Sequence, residues 1–133
     1  MKMLVLSSFG FKYGLPQDAN YVFDVRFIPN PFYVVELKPL SGMDEPVREY
    51  IGAFNETGLF LTSAAVFLDF VIPQYFDSGR ETLHIAVGCT GGRHRSVAIV
   101  EWLGEHYRKK LAELGAGVTL EIRHRDVGMA QEV

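Results

Sequence analysis

Leu83-His84-Ile85-Ala86-Val87-Gly88 runs straight into Cys89-Thr90-Gly91-Gly92-Arg93-His94-Arg95-Ser96, and the reading of this stretch decides the fold. Its first half leans apolar without a break, the pattern of a strand buried on both faces. Beyond the glycines, Ile99, Leu103, Tyr107 and Leu111 recur every four residues, which predicts a helix from Ser96 to Leu114. Gly115 and Gly117 follow and are expected to stop it. A strand feeding a helix through a glycine turn is the unit from which parallel α/β sheets are built.

Working outward, Met3 to Phe9 reads as a strand, and Phe9 to Asn20, with Gly10, Gly14 and Pro16, as a long loop. Tyr21 to Ile28 reads as a second strand. Val22, Asp24 and Arg26 fall on one of its faces, and Phe23, Val25 and Phe27 on the other. Pro29-Asn30-Pro31 ends it, because each proline lacks a backbone donor. Residues 33–43 carry no clear period. Asp44 or Ser41 caps a helix from Pro46 to Phe54. Thr57 caps the next helix, which buries Phe60, Ala64, Phe67, Leu68, Val71 and Ile72 until Pro73 bends or ends it. Val118 to His124 is the last strand. The expectation is one α/β domain over residues 1–133: a three-layer fold with a mostly parallel sheet of about four to five strands and helices on both faces.

Composition excludes several classes of function. Cys89 is the single cysteine, so no internal disulfide forms; with no targeting segment at the start, a cytoplasmic setting is expected. The most apolar stretch, Leu59 to Ile72, is broken by Thr62, Ser63 and Asp69 and is too short and polar for a bilayer span, so no membrane partner is expected. The formal net charge of −3 argues against general affinity for nucleic acid. Charge is uneven, however: residues 1–92 carry 6 basic and 10 acidic groups, and residues 93–126 carry 7 basic and 5 acidic groups with three of the four histidines. No two histidines have a ligand-like spacing with Cys89, so neither a metal nor a cofactor is expected. The G-x-x-x-x-G-K-[ST] phosphate loop is absent, so nucleotide hydrolysis by that device is not expected.

Ligands of parallel sheets collect where strand C-termini meet helix N-termini, and the loop from Cys89 to Ser96 sits at such a junction. Gly91 and Gly92 let the backbone turn its N–H groups inward, and the helix start adds unpaired donors and a partial positive charge. Arg93, His94 and Arg95 are cationic donors, and Thr90 and Ser96 add hydroxyls. A lone Gly-Gly turn is usually only a turn. Two arginines, a histidine, two hydroxyls and a cysteine crowded around one point instead to an anion site, with a small phosphorylated molecule as partner.

The spacing Cys89-x5-Arg95-Ser96 also matches the C-x5-R-[S/T] loop of cysteine-dependent phosphatases, in which a thiolate attacks phosphorus while the arginine holds the phosphoryl oxygens. Gly88 stands where those enzymes usually have histidine. A general acid is also needed, with Asp18, Asp24, Asp44 and Asp126 as candidates. Asp24 with Arg26, and His124 with Arg125 at the end of the last strand, are further candidates to face the same site.

Three segments together resemble a known family. They are Ser8-Phe9-Gly10-Phe11-Lys12-Tyr13-Gly14, Val22-Phe23-Asp24-Val25-Arg26-Phe27-Ile28-Pro29-Asn30-Pro31, and Gly88-Cys89-Thr90-Gly91-Gly92-Arg93-His94-Arg95-Ser96-Val97. They resemble the C-terminal domain of the RapZ family of ribonuclease adapter and nucleotide-binding proteins, here without the P-loop module that precedes it in full-length members. The resemblance implies a phosphosugar-sensing regulatory domain that binds glucosamine-6-phosphate, has a link to regulatory RNA and forms a homo-oligomer. By motif match it makes Asp24, Arg26, Cys89, Thr90, Gly91 and Arg95 the ligand contacts. This sequence departs from the family in three places. It has no P-loop module, so ATP or GTP binding is not carried over. It ends Asp126-Val127-Gly128-Met129-Ala130-Gln131-Glu132-Val133, where RNA-binding members have a basic tail. It has Phe32 where some members have histidine. The expected function is non-catalytic binding of an amino sugar phosphate, with a phosphatase and an RNA-binding adapter as the alternatives.

Overall fold

The computed structural model describes residues 1–114 and 117–129. Four strands, β1 (Lys2–Gly10), β2 (Tyr21–Asp24), β3 (Thr82–Cys89) and β4 (Val118–His124), form one parallel sheet in the order β2-β3-β1-β4. Three helices connect them: α1 (Glu45–Gly52), α2 (Asn55–Asp77) and α3 (Arg95–Leu114). The α/β class and the parallel sheet are those expected from the sequence. β1 is central, with Leu4 beside Leu83 and Leu120, and Leu6 beside Ile85 and Ile122. That alternation of apolar residues gives the sheet one fully apolar face, which holds the core.

The layering differs from the expected helices on both faces. The steps from β2 to β3 and from β3 to β4 run in the same direction across the sheet, so right-handed crossovers put α2 and α3 on the same side. α3 lies across β1, β3 and β4, α2 lies on β3, and α1 touches both helices. Among the described residues the opposite face carries no helix. The segment after β1 lies over part of it, with Phe11 packed edge-on against Phe9 and Asp18 beside His84.

Other differences are local. β2 stops at Asp24, because the Asp24 carboxylate accepts the Arg26 N–H at 2.9 Å and turns the chain out of the sheet. Asp24 and Arg26 therefore do not share a strand face. α1 starts after Asp44, whose carboxylate accepts from the Ser41 N–H at 2.8 Å rather than from the helix. Thr57 is buried inside α2 and does not cap it, and Phe54 holds the cap position. Pro73 does not end α2, which runs on to Asp77. At 23 residues, with an 18-residue window of mean hydropathy 1.5, α2 is long and apolar enough to cross a membrane by length and composition. Here it lies against β3, α1 and α3, with Leu59, Val66 and Phe70 on its exposed side. Gly117 takes a left-handed φ of +63°, as a helix stop requires; Gly115 lies outside the described residues.

Candidate functional site

The residues after β3 form a loop that closes on α3 at Arg95. Gly92 has a φ of +73°, and a Cβ there would lie 2.5 Å from the Gly10 nitrogen. A Cβ on Gly10 would in turn lie 2.5 Å from the Gly91 carbonyl carbon. The loop backbone thus rests directly on the end of β1, a contact that only two glycines allow. Asp126 fixes the arrangement from below: its buried carboxylate accepts the Gly10 N–H at 2.8 Å and is gripped by Arg125.

Arg95 is 4% exposed. Its Nη1 donates to the carbonyls of Arg26 at 3.0 Å and Ile28 at 2.8 Å, and its Nη2 reaches Thr90 Oγ1 at 3.4 Å. Its buried Nε has no hydrogen-bond partner. Among the described residues no carboxylate comes within ion-pair distance of this guanidinium. Burial lowers its pKa from the usual value, and the neighbouring Cys89 and Asp24 oppose that shift.

Cys89 is 2% exposed. Its Sγ lies 3.1 Å from Ser96 Oγ and receives the Ser96 N–H at 3.5 Å. Asp24 sits beside Gly88 in the sheet register and forms a two-point pair with Arg26, closest at 2.7 Å. That hydrogen bonding from Arg26 is the main reason its carboxyl titrates below the usual range. The Arg26 guanidinium also stacks 4.0 Å from the centre of the Phe11 ring.

Other residues named from the sequence are committed elsewhere. Arg93 spends its guanidinium on three backbone carbonyls, Pro39 at 2.7 Å, Val127 at 2.8 Å and Leu40 at 2.9 Å. His94 is buried and donates from Nε2 to the Leu37 carbonyl at 3.1 Å; burial is the main cause of its lowered pKa. His124 bridges Ser8 Oγ at 2.6 Å and Glu101 at 2.7 Å. Arg125 joins Asp126 to the Gly14 carbonyl. These contacts hold segments together and leave Arg95 as the buried cation with donor capacity to spare.

A cavity of about 100 Å³, roomy enough to admit a phosphoryl group, opens over this point. Cys89, Thr90, Gly91, Arg93, His94 and Arg95 line it, whereas Asp24, Arg26, Gly92 and Ser96, expected at the site from the sequence, are not among its lining residues. Lys12, Asn30, Phe32 and Tyr33 also line it, and reading the sequence missed them. Their signal was positional: Gly10–Gly14 and Pro29–Pro31 both follow strands of one parallel sheet, so both loops reach the edge where the Cys89 loop lies. Among the described residues no three His, Cys, Asp or Glu side chains cluster as metal ligands do.

The family model described as the RapZ C-terminal domain matches residues 2–128. A protein named "Nucleotide-binding protein" from Desulforudis audaxviator (strain MP104C) is 50% identical over 121 residues, which is 91% of this chain and 39% of that protein. A protein of the same name from Bacillus thuringiensis (strain Al Hakam) is 48% identical over 120 residues, 90% of this chain and 39% of its own length. The chain therefore spans about two-fifths of the length of the curated relatives it matches.

Proposed function

The chain belongs to the RapZ C-terminal domain family, and from that membership and the site's chemistry we propose that it is a regulatory domain that binds a small phosphate ester without turning it over. The observation that carries this reading is the Arg95 guanidinium, buried, in no ion pair among the described residues, and holding an unpartnered Nε. A buried cation in no direct ion pair is costly, and a phosphate dianion in the adjoining cavity supplies both charge and acceptors. The start of α3 and the glycine loop add backbone donors of the kind that hold anions at helix N-termini. An amino sugar phosphate such as glucosamine-6-phosphate is the favoured occupant, with the ionised Asp24 available to an ammonium or hydroxyls near the mouth.

The contact between Cys89 Sγ and Ser96 Oγ supports a second reading, a cysteine-dependent phosphatase. The acid candidates weigh against it. Asp24 is held ionised by Arg26, and Asp126 is spent on Gly10 and Arg125. Both carboxylates are already taken up by these contacts. The nucleotide binding in the relatives' printed names belongs to proteins of which this chain matches 39%, and it is a weaker proposal for this domain, as is RNA. Self-association through the exposed side of α2 is proposed with them. Isothermal titration with glucosamine-6-phosphate tests the main reading. Heat that saturates at one site and is lost in Arg95→Ala supports it, and no heat with wild-type protein sinks it.

A further inference from the structure

We propose that Phe32 and Tyr33 form an aromatic lip that selects phosphate esters built on a ring over acyclic ones; this rests on the phosphate-site reading above. The two side chains line the same cavity as Arg95 and Thr90. Tyr33 is 69% exposed there, whereas Phe32 is half-buried beneath it. Their rings meet edge to face with centroids 5.6 Å apart. Lys38 Nζ stands 4.6 Å over the Phe32 ring.

The lip is built, not incidental. Asn30 accepts the Phe32 N–H at 3.1 Å through its side chain, and Pro31 is buried at the first position of a 3-10 turn spanning Pro31–Tyr33. That turn fixes the backbone of both aromatic residues. It follows directly on the chain segment whose carbonyls, Arg26 and Ile28, hold the Arg95 guanidinium. The lip and the phosphate-binding cation are therefore set relative to one another through a few residues of backbone.

Phe32 and Tyr33 line the cavity together with Thr90 and Arg95. With the phosphoryl group of an ester held at Arg95, its carbon skeleton extends toward the cavity wall where Tyr33 and Phe32 stand. A sugar ring presents axial C–H groups on one face, and an aromatic face packs against them. An acyclic chain offers no such face and loses rotamer freedom on binding.

Three probes separate the lip from the phosphate site: glucose 6-phosphate, glycerol 3-phosphate and inorganic phosphate, each titrated into wild-type, Tyr33→Ala and Tyr33→Phe protein. The expected result is a wild-type Kd for glucose 6-phosphate about tenfold below that for glycerol 3-phosphate, the scale of one aromatic packing contact. Tyr33→Phe keeps that ratio, and Tyr33→Ala brings it close to one. Equal wild-type affinities, or a ratio that survives Tyr33→Ala, overturn the lip while leaving the phosphate site standing. If wild-type protein binds none of the three, inorganic phosphate included, the phosphate-site reading itself falls, and the lip with it.

Discussion

The guanidinium of Arg95 donates to the carbonyl of Ile28 at 2.8 Å across 67 residues of sequence. That bond joins the start of α3 to the turn after β2 and uses only part of what the side chain offers. Arg95→Ala is expected to weaken glucosamine-6-phosphate binding by about 1.5–3 kcal/mol, the worth of a hydrogen bond to a charged group. Because the 26–28 turn also loses its anchor, Arg95→Lys is the companion variant, keeping the charge but not the two-point geometry. Titration calorimetry on both, with circular dichroism as the check on folding, reads the result.

Arg93→Ala is expected to behave in the opposite way. Its three carbonyl contacts tie the 39–40 turn and Val127 to the loop. Losing them should lower unfolding stability by about 1–3 kcal/mol and ligand affinity by less than the Arg95 change does. Urea unfolding beside titration separates the two. A larger effect on binding than on stability would show that Arg93 contacts the ligand.

Gly92→Ala tests the close approach to β1. Its φ of +73° and the 2.5 Å distance to the Gly10 nitrogen leave a methyl group no room. A strained left-handed residue alone costs about 1–3 kcal/mol, and the clash adds to that. The urea midpoint should fall, with binding lost in the fraction that stays folded. A variant as stable as wild type would contradict the packing described here.

His94 gives the domain a pH dependence. Its folded pKa is lowered, chiefly by burial, and Arg93 pushes the same way while the Leu37 carbonyl opposes. As pH falls, the unfolded chain therefore takes up this proton before the folded one does. The stability linked to His94 is complete above its ordinary value of 6.5 and drains away as pH drops below it. The urea midpoint is expected to fall between about pH 7.5 and about pH 5, and His94→Gln, which keeps a donor to Leu37 without titrating there, should fall less. Parallel curves for the two proteins would remove His94 as the cause.

A generic aryl phosphate should not be turned over. Cys89 packs against Ser96 at the cavity floor, and the Asp24 carboxyl, hydrogen-bonded by Arg26, titrates below the usual range and is a poor proton donor. Cys89→Ser should leave a well-folded protein, judged by thermal melting. Rapid phosphate release abolished by that substitution would promote the enzyme reading.

The parallel sheet and the loop at its C-terminal edge were legible because strand and helix periods flank a glycine turn within one short stretch, Leu83 to Leu114. The end of β2 was not legible. Residues 21–28 keep a strand-like alternation, and what breaks the strand is one side-chain bond, from the Arg26 N–H to Asp24. The roles of Arg93 and His94 were equally hidden, because their partners are backbone carbonyls of residues 37–40, a segment without periodicity. Thr57 looked like a cap because hydroxyl residues before an apolar run usually are caps, yet here α2 begins two residues earlier. Lys12 lies in one of the family-resembling segments and Phe32 just after another, but nothing in the sequence marks them or Tyr33 as cavity residues until the topology brings their loops together.

β1 occupies the middle of the sheet although it is the first strand in the chain. Its register runs from Met3 beside Thr82 to Gly10 beside Cys89 on one edge, and from Lys2 beside Val118 to Ser8 beside His124 on the other. As the chain leaves the ribosome, an apolar strand therefore waits with both hydrogen-bonding edges bare. One edge is satisfied only when residues 82–89 emerge, and the other only with residues 118–124. Such distant pairings raise contact order and slow folding, and a bare apolar strand is the kind of segment that chaperones hold and aggregates recruit. A nascent chain arrested before β4 should thus be protease-sensitive along β1, and the bond from the Gly10 N–H to Asp126 beneath Gly92 forms only once β4 has emerged.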